Sequence, residues 1–508
     1  MSDVSVSLDG ATLTTEQLIA IRDGVASVSI SDAASERVRM SRCAVESILS
    51  SGDVVYGINT GFGALSSITI DESELARLQT NLIRSHACGV GENMASEDVL
   101  MMMTIRANSL AVGHSGIRLS VIQTLVDLVN SRCAPVVPRI GSLGASGDLA
   151  PLSHLTLGLM GENQFFVEID GFWKLKDADF VFELIESDPV ELQAKEGLSL
   201  INGTSQMCAY MVGALHTLSH LIVAADSALS CSLEAIKGSH RAFDVRIHSA
   251  RPHSGQQISA ARVRSLVNDS QINASHADCD RVQDSYSFRC APQVHGPVIE
   301  LILNTKKMIE IEINSATDNP LIFVADDGEF EVISGGNFHG QIIALAADSL
   351  AVTCHELASI SERRINQVLS PHWSGQNAFL ANEEGLESGL MILQYVSAAL
   401  LAELHLLANP TTTSNVPVSM EKEDHVSMGA TATNRLSICC DHLSKVLANE
   451  LICACEALHR IEENAGSGVM SIQHIMADLV APLTCDRSMT NDTEIVAALL
   501  LAGGLSQL

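Results

Sequence analysis

The chain has 508 residues, of which 46% are hydrophobic and 18% are charged, so it can bury a large core and is not globally disordered. Aromatic residues make up only 4%, while Ala, Leu, Ile and Met are abundant, which favours packed helices over a β-sandwich. The formal charge of −30 argues against nucleic acid or an anionic membrane as a partner and favours a small molecule or another protein.

The first ten residues, MSDVSVSLDG, are polar and acidic and lack the basic and apolar segments of a secretory signal, so we expect a cytoplasmic protein. The thirteen cysteines of such a chain are expected to be reduced thiols rather than a disulfide framework. Cys439, Cys440 and His442 lie in a helical pattern in which neighbouring side chains point in different directions, so no metal site is predicted.

Residues 1–204 are predicted to form a mixed N-terminal domain, in which short apolar runs alternate with glycine-rich turns. Within this domain, residues 98–113 and 117–133 predict a pair of helices. Residues 205–508 are predicted to form a long-helix bundle domain, so the chain as a whole is expected to be mainly α. This prediction rests on four runs that are rich in Ala and Leu and lack proline: 205–236, 339–369, 388–408 and 429–463.

The run at 388–408 is long and apolar enough to span a membrane, but Gln394, Glu403 and His405 interrupt it. A bundle helix is the better interpretation, and no membrane partner is predicted. Helices that are apolar on most sides need neighbours all round, which indicates burial between subunits as well as within one chain. Between the long runs, residues 237–300 carry seven Arg and five His. A cationic pocket or a subunit contact is favoured there over a nucleic-acid patch, given the overall charge.

The stretch GSLGASGDLAPLSH, residues 141–154, places three small residues directly before Asp148. It does not match a dinucleotide fingerprint, which would need glycine at 142, nor a P-loop, which would need lysine. It is not a nucleophile elbow either, because that motif would need glycine at 148. One remaining interpretation is a tight turn before a helix, with Asp148 as the N-cap.

The other interpretation of this stretch is chemical. In a tightly bent backbone the amide nitrogen of Gly147 can attack the carbonyl carbon of Ala145, because glycine has no Cβ to block the approach. Loss of water from the ring and of the Ser146 hydroxyl would leave a five-membered ring with an exocyclic methylene, an electrophile that no ordinary side chain supplies. Asp148 would then hold the bend instead of capping the next helix, and the sequence leaves both roles open.

Eight segments together resemble the histidine and aromatic amino acid ammonia-lyase family. The resemblance implies that Ala145, Ser146 and Gly147 form a 4-methylideneimidazol-5-one prosthetic group, without an external cofactor. It also implies a homotetramer whose active sites draw residues from three subunits. The segments, in family order, are VVYGINTGFG (54–63), LQTNLIRSHACGVG (78–91), GSLGASGDLAPLSH (141–154), LINGTSQ (200–206), VQDSYSFRCAPQVHG (282–296), EINSATDNPL (312–321), GGNFHG (335–340) and EDHVSMGATA (423–432).

The resemblance also implies roles for single residues outside the triad. Tyr56 matches the catalytic tyrosine and is the candidate base for the β-proton of the substrate, and Tyr286 is grouped with the catalytic residues because it flanks the ring. Arg289 matches the residue that binds the substrate carboxylate, a task that suits a planar fork with two donors. Asn202 matches a residue that supports ring formation and contacts the substrate. The other substrate-binding matches are Gln283 and Phe338.

Two positions indicate the substrate. The pair Ser85 and His86 resembles the Ser-His pair of the histidine branch of the family. Glu423 matches the carboxylate that contacts imidazole. A phenyl ring would leave that carboxylate unpaired, so L-histidine is the expected substrate and trans-urocanate the expected product. Lys422 departs from the family, which commonly has Gln there, and a cation beside Glu423 could pair with it.

Three alternatives to this expectation remain. A tyrosine or phenylalanine ammonia-lyase and a 2,3-aminomutase would use the same prosthetic group on another amino acid. A helical scaffold without catalytic activity is the alternative from a different class, and the complete Ala-Ser-Gly triad argues against it.

Overall fold

The computed structural model describes residues 4–61, 68–276, 282–325 and 327–507. Its architecture is mainly α, as predicted, with 59% of the residues in helices. The predicted motif at 54–63 lies partly outside the described residues, since its last two positions, 62 and 63, are not among them.

The strands of the described chain are short. Their bounds are β1 (Val4–Leu8), β2 (Ala26–Ile30), β3 (Val90–Asn93), β4 (Cys133–Pro135), β5 (Pro138–Ile140), β6 (Phe165–Ile169), β7 (Phe172–Lys176), β8 (Leu321–Val324) and β9 (Phe330–Ile333). β1 and β2 pair in parallel. The antiparallel pairs are β3 with β5, β4 with β6, β6 with β7, and β8 with β9.

The helices range from single turns to more than thirty residues. Their bounds are α1 (Thr15–Arg22), α2 (Asp32–Ser51), α3 (Leu75–His86), α4 (Ser96–Ala111), α5 (Leu119–Asn130), α6 (Leu149–Leu159), α7 (Ala178–Leu184), α8 (Glu196–Ile201), α9 (Ser205–Ala235), α10 (Val245–Ala250), α11 (Ser254–Leu266), α12 (Gln271–Ser275), α13 (Tyr286–Arg289), α14 (Ala291–Glu312), α15 (Gln341–Val368), α16 (Pro371–Ser374), α17 (Met391–Leu407), α18 (Gly429–His459), α19 (Ser467–Leu479) and α20 (Thr490–Leu501). Single 3-10 turns lie at Glu72–Glu74, His240–Phe243, Ala378–Leu380 and Thr411–Thr413.

Residue contacts divide the chain into two compact units, both of them discontinuous in sequence. The sequence predicts one boundary, between residues 204 and 205, whereas α9, α14, α15 and α18 each contribute residues to both units. All the strands of the described chain belong to the first unit. The first unit consists of Met1–Gly213, Lys306–Asp348 and Pro410–Asn434, and the second unit consists of Ala214–Thr305, Ser349–Asn409 and Arg435–Leu508.

Local sequence signals account for the helices that position the candidate site in the first unit. Ser31 caps α2 by accepting a hydrogen bond from the Ala34 backbone nitrogen, and the helix ends at Gly52, which has a φ of +74°. The apolar face of α2 packs on Ile58 and Ile322 in one buried cluster. The predicted helix pair of this unit is confirmed as α4 and α5, and every residue of α4 from Val99 to Ala111 is buried.

The four long runs predicted from the sequence correspond to α9, α15, α17 and α18, so these predictions are confirmed to within a few residues. The polar region at 237–300 is also largely helical, which the sequence analysis did not predict. Two of its arginines pair within the second unit, Arg262 with the buried Asp226 over 2.5 Å and Arg246 with Asp244 over 2.7 Å.

Three helical segments are long and apolar enough to cross a membrane by length and composition alone, considering the described residues. Two of them, α9 and α15, bury 67% and 56% of their apolar windows inside the protein. The third, Met391–Thr413, buries only 17% and exposes Ile392, Tyr395 and Leu406. An apolar surface of this kind indicates a contact with another molecule.

Candidate functional site

The Ala-Ser-Gly triad forms a tight bend between β5 and α6. Gly144 and Gly147 have φ angles of +64° and +73°, in the left-handed region that favours glycine. A Cβ atom on Gly147 would lie 2.2 Å from the carbonyl oxygen of Gly203 and 2.5 Å from its nitrogen. Because both contacts are with backbone, no side chain fits at position 147.

The turn at Asn202 and Gly203 packs directly against this bend. The Asn202 side-chain nitrogen donates a hydrogen bond to the Ser146 carbonyl oxygen over 2.7 Å, and the Asp148 backbone nitrogen donates to the Gly203 carbonyl oxygen over 2.7 Å. Asn202 is buried, and its Oδ1 atom has no hydrogen-bond partner in the described structure. The structure therefore brings Asn202 to the triad, as the sequence analysis predicts.

Asp148 occupies the N-cap position of α6, but its side chain makes no capping hydrogen bond to that helix. Its fully buried carboxylate accepts hydrogen bonds from the Ser142 hydroxyl over 2.9 Å and from the backbone nitrogens of Gln206 and Met207 over 2.9 and 3.0 Å. The last two groups belong to the first turn of α9. The hypothesis that Asp148 caps its own helix is therefore wrong, since the side chain caps α9 and ties it to the bend.

Burial raises the pKa of the Asp148 carboxyl to about 7, against the hydrogen bonds that favour its charged form. A raised pKa means that the folded protein binds a proton that the unfolded chain has already released, so this group stabilises the fold less as the pH rises from about 4 to about 7. Asp148→Asn cannot titrate, so the variant is expected to lack this pH-dependent loss of stability. Urea unfolding at several pH values measures the free energy of unfolding of both proteins. If that free energy depends on pH in the same way in the wild type and the variant, the expectation is contradicted.

Two further segments of the first unit lie close by, one in contact with the bend and one in contact with Met207 of α9. The Ser427 hydroxyl donates to the Gly144 carbonyl oxygen over 3.0 Å, and a Cβ on Gly340 would lie 2.5 Å from the Met207 sulfur. These segments carry two predicted substrate residues. Phe338 lies half-buried two residues before Gly340, and Glu423 lies half-buried in a tight hairpin that pairs it with Val418.

Tyr56 and His86 lie on two other segments of the first unit. Tyr56 is half-buried in a turn whose neighbour Gly57 has a φ of +78° and would place a Cβ 2.7 Å from Pro320. His86 is the last residue of α3, and its Nδ1 atom lies 2.8 Å from the Leu82 carbonyl oxygen. Because a carbonyl only accepts hydrogen bonds, this contact favours the tautomer that carries a proton on Nδ1.

The remaining predicted residues lie together in the second unit, on and before α13. Gln283 is exposed and Tyr286 is 69% exposed, while Arg289 is half-buried. The Arg289 guanidinium lies over the Tyr286 ring, 4.5 Å from its centre, in a cation–π contact. The Arg289 Nε atom is buried without a hydrogen-bond partner in the described structure.

A buried ion pair in the first unit was missed by the sequence analysis. The Lys195 ammonium donates to Asp318 over 2.7 Å and to the Ser199 hydroxyl over 3.1 Å, and both ions are fully buried. Burial lowers the pKa of Lys195, and the Asp318 charge opposes that shift. Asp318 lies in a recognised segment and could have been singled out, whereas the mixed sequence around Lys195 gives no sign that its side chain is buried.

The class of protein to which a chain with this bend belongs follows from comparison with known proteins. Residues 13–479 match the model of the aromatic amino acid lyase family, and the chain belongs to this family. The family predicted from the sequence is therefore confirmed, as is the prediction of a carbon–nitrogen lyase.

Within this family, the chain is similar to particular ammonia-lyases and to an aminomutase. The histidine ammonia-lyase of Myxococcus xanthus is 42% identical over 99% of this chain and 98% of its own length. The human histidine ammonia-lyase is also 42% identical, over 98% of this chain and 75% of its own length. Among solved structures, histidine ammonia-lyase from Trypanosoma cruzi is similar with a TM-score of 0.90 and 37% identity, covering 99% of this chain and 94% of that chain. A tyrosine aminomutase from Streptomyces globisporus has a TM-score of 0.91 and 34% identity, covering 99% and 98%.

Proposed function

We propose that the chain eliminates ammonia from L-histidine and releases trans-urocanate. The observation that carries the lyase chemistry is the bend at the triad, where Gly147 packs on Gly203 without room for a side chain. The histidine ammonia-lyase relatives and the residues His86 and Glu423 support histidine as the substrate, since an imidazole nitrogen and a carboxylate can both hydrogen-bond to an imidazole ring.

The residues of the bend fit a 4-methylideneimidazol-5-one group made from Ala145, Ser146 and Gly147. Gly147 carries no side chain that could shield its amide nitrogen, Ala145 is small and buried, and Asn202 donates to the carbonyl oxygen of Ser146. Once formed, this group supplies an electrophilic carbon that makes the substrate amino group a better leaving group. No external cofactor is needed.

The other residues bind and orient the substrate and move its proton. Arg289 binds the substrate carboxylate with charge-assisted hydrogen bonds, and its unpaired Nε atom is one donor for that purpose. The buried, unpaired Oδ1 atom of Asn202 accepts from the substrate ammonium group. Tyr56 takes the β-proton. Tyr286 flanks the substrate, and Gln283 and Phe338 complete the pocket.

The proposal is tested by incubating the purified protein separately with L-histidine, L-tyrosine and L-phenylalanine and following the absorbance of a conjugated product. Urocanate from histidine alone is the expected result. An aryl acrylate from tyrosine or phenylalanine, without urocanate, would show that the ring specificity is assigned wrongly. A β-amino acid would favour an aminomutase, the activity named for one similar structure.

We also propose that the chain assembles into a homotetramer in the cytoplasm and that one active site takes residues from several subunits. The exposed apolar face of α17 supports this, because Ile392, Tyr395 and Val396 lie on one side of the helix and are 54%, 62% and 41% exposed. A second copy of the chain would cover this face, and the interrupting polar residues make a lipid bilayer a poorer partner.

Placing charges on this face is expected to dissociate the assembly. Ile392→Glu combined with Val396→Glu would bury two unpaired carboxylates in a subunit contact, which is strongly unfavourable. Light scattering on a size-exclusion column should show a tetramer for the wild type and smaller species for the variant. A matched double substitution to Gln is the control for the loss of apolar area. A wild-type monomer would overturn the assembly proposal.

A further inference from the structure

The helix that carries Tyr286 and Arg289 is too short to be stable by itself. α13 has only four residues, and isolated helices shorter than about 12 residues are marginal in water. Ser285 occupies its N-cap position, where a serine hydroxyl normally accepts from the first backbone nitrogens of the helix. Here its side chain makes no capping hydrogen bond. The conformation of α13 must therefore be held from outside.

Gln367, near the end of α15, holds α13 through the two serine side chains on either side of Tyr286. Its amide nitrogen donates to the Ser285 hydroxyl oxygen over 2.7 Å and to the Ser287 hydroxyl oxygen over 3.2 Å. The Ser285 hydroxyl donates back to Gln367 Oε1 over 2.9 Å. Gln367 and Ser287 are both buried, so water does not compete strongly for these hydrogen bonds. The two serines flank Tyr286 in sequence, so the Gln367 amide hydrogen-bonds to the residues directly before and after Tyr286.

The part of α15 that carries Gln367 is itself firmly anchored. Arg364, three residues earlier, forms a bidentate ion pair with Glu450, with distances of 2.5 and 2.8 Å, and both side chains are fully buried. Arg364 also donates to the Ser287 carbonyl oxygen over 3.4 Å. Glu450 accepts further hydrogen bonds from the hydroxyls of Ser361 and Ser232 over 2.6 and 2.8 Å. This network satisfies the buried charges and leaves α15 little freedom to move.

We propose that Gln367 is a positioning residue that sets the direction of the Arg289 guanidinium through Ser285 and Ser287. The inference rests on the proposed function, in which Arg289 binds the substrate carboxylate. The guanidinium stacks on Tyr286, which stands between the two serines, so a shift of that segment moves Tyr286 and Arg289 together. Gln367 touches neither the substrate nor the triad in this scheme.

The test is a comparison of Gln367→Met, which keeps the shape of the side chain but removes its hydrogen bonds, with the double variant Ser285→Ala and Ser287→Ala. Each is expected to raise KM for L-histidine about 10-fold while changing kcat by less than about 3-fold, because a misdirected donor weakens substrate binding before chemistry. The triple variant Gln367→Met, Ser285→Ala, Ser287→Ala should have the same KM as Gln367→Met or the double serine variant. Both sets of substitutions remove the same hydrogen bonds between Gln367 and the two serines, so their effects should not add.

Gln376→Met is the matched control, since Gln376 also lies in the second unit and donates to the Ala457 carbonyl oxygen over 2.9 Å, away from α13. It should leave KM unchanged even where it lowers the unfolding midpoint. If the KM increases of Gln367→Met and of the double serine variant multiply in the triple variant, the inference is overturned. An unchanged KM in Gln367→Met would also overturn it.

Failure of the wild type to convert histidine would instead overturn the proposed function. Intact mass measures separately whether the triad of each variant has lost two water molecules.

Discussion

Ser146→Ala is expected to lower kcat for L-histidine by more than about 10³-fold, which exceeds the loss from removing a single hydrogen-bond donor to a transition state. Alanine has no hydroxyl to leave, so the ring electrophile cannot form, and the substrate amino group remains a poor leaving group. Intact mass should show that the wild type, but not the variant, has lost the mass of two water molecules. The first unit should still fold, because Ala145 and Gly147 keep their packing.

Ser153→Ala provides a matched control for this experiment. Ser153 is buried, lies on α6 directly after the bend, and its hydroxyl has no hydrogen-bond partner in the described structure. Its removal should leave both the activity and the mass loss intact. Activity of Ser146→Ala close to that of the wild type would exclude the self-derived electrophile, whatever the control does.

Lys195→Met is expected to have the largest effect on stability, lowering the free energy of unfolding by about 3 kcal/mol, because it leaves the Asp318 carboxylate buried without its ion-pair partner. Urea unfolding followed by far-UV circular dichroism measures the loss. The double variant Lys195→Met, Asp318→Asn removes both charges and should recover part of it, since the cost arises from the unpaired ion.

The exposed pair of Arg84 and Glu162 offers the contrast. These side chains are 2.7 Å apart but 56% and 34% exposed, so Arg84→Met should cost less than about 1 kcal/mol. If Lys195→Met and Arg84→Met lower the free energy of unfolding equally, burial does not determine how much the Lys195–Asp318 pair contributes to stability.

The long helices could be predicted because their signal is local. α9, α15, α17 and α18 are long segments rich in Ala and Leu without proline, and a window of the sequence contains everything needed to recognise them. α14 was missed because Pro297 lies inside it and its first residues belong to a polar segment. Proline normally argues against a helix interior, and here the surrounding packing outweighs that preference.

The candidate site was predicted only where a motif names its residues. The triad and Asn202 follow from recognised segments, and the structure places them in contact. The partners of Asp148 lie 58 and 59 residues further along the chain, and Gln367 lies 82 residues beyond Ser285. Neither contact has a periodicity or a motif that a sequence could reveal, since each depends on which helices become neighbours in the folded chain.

The close packing of Gly147 on Gly203 distinguishes a position of this protein that cannot accept substitutions from positions that can. Any mutation of Gly147 would drive a side chain into the Gly203 backbone, so the bend has no room for a substitution at this position. The hairpin of Glu423 and the end of α3 at His86 are half-exposed and tolerate replacement far more readily. New substrates in such a lineage should therefore arise from changes at these two places, while the reactive bend is passed on unaltered.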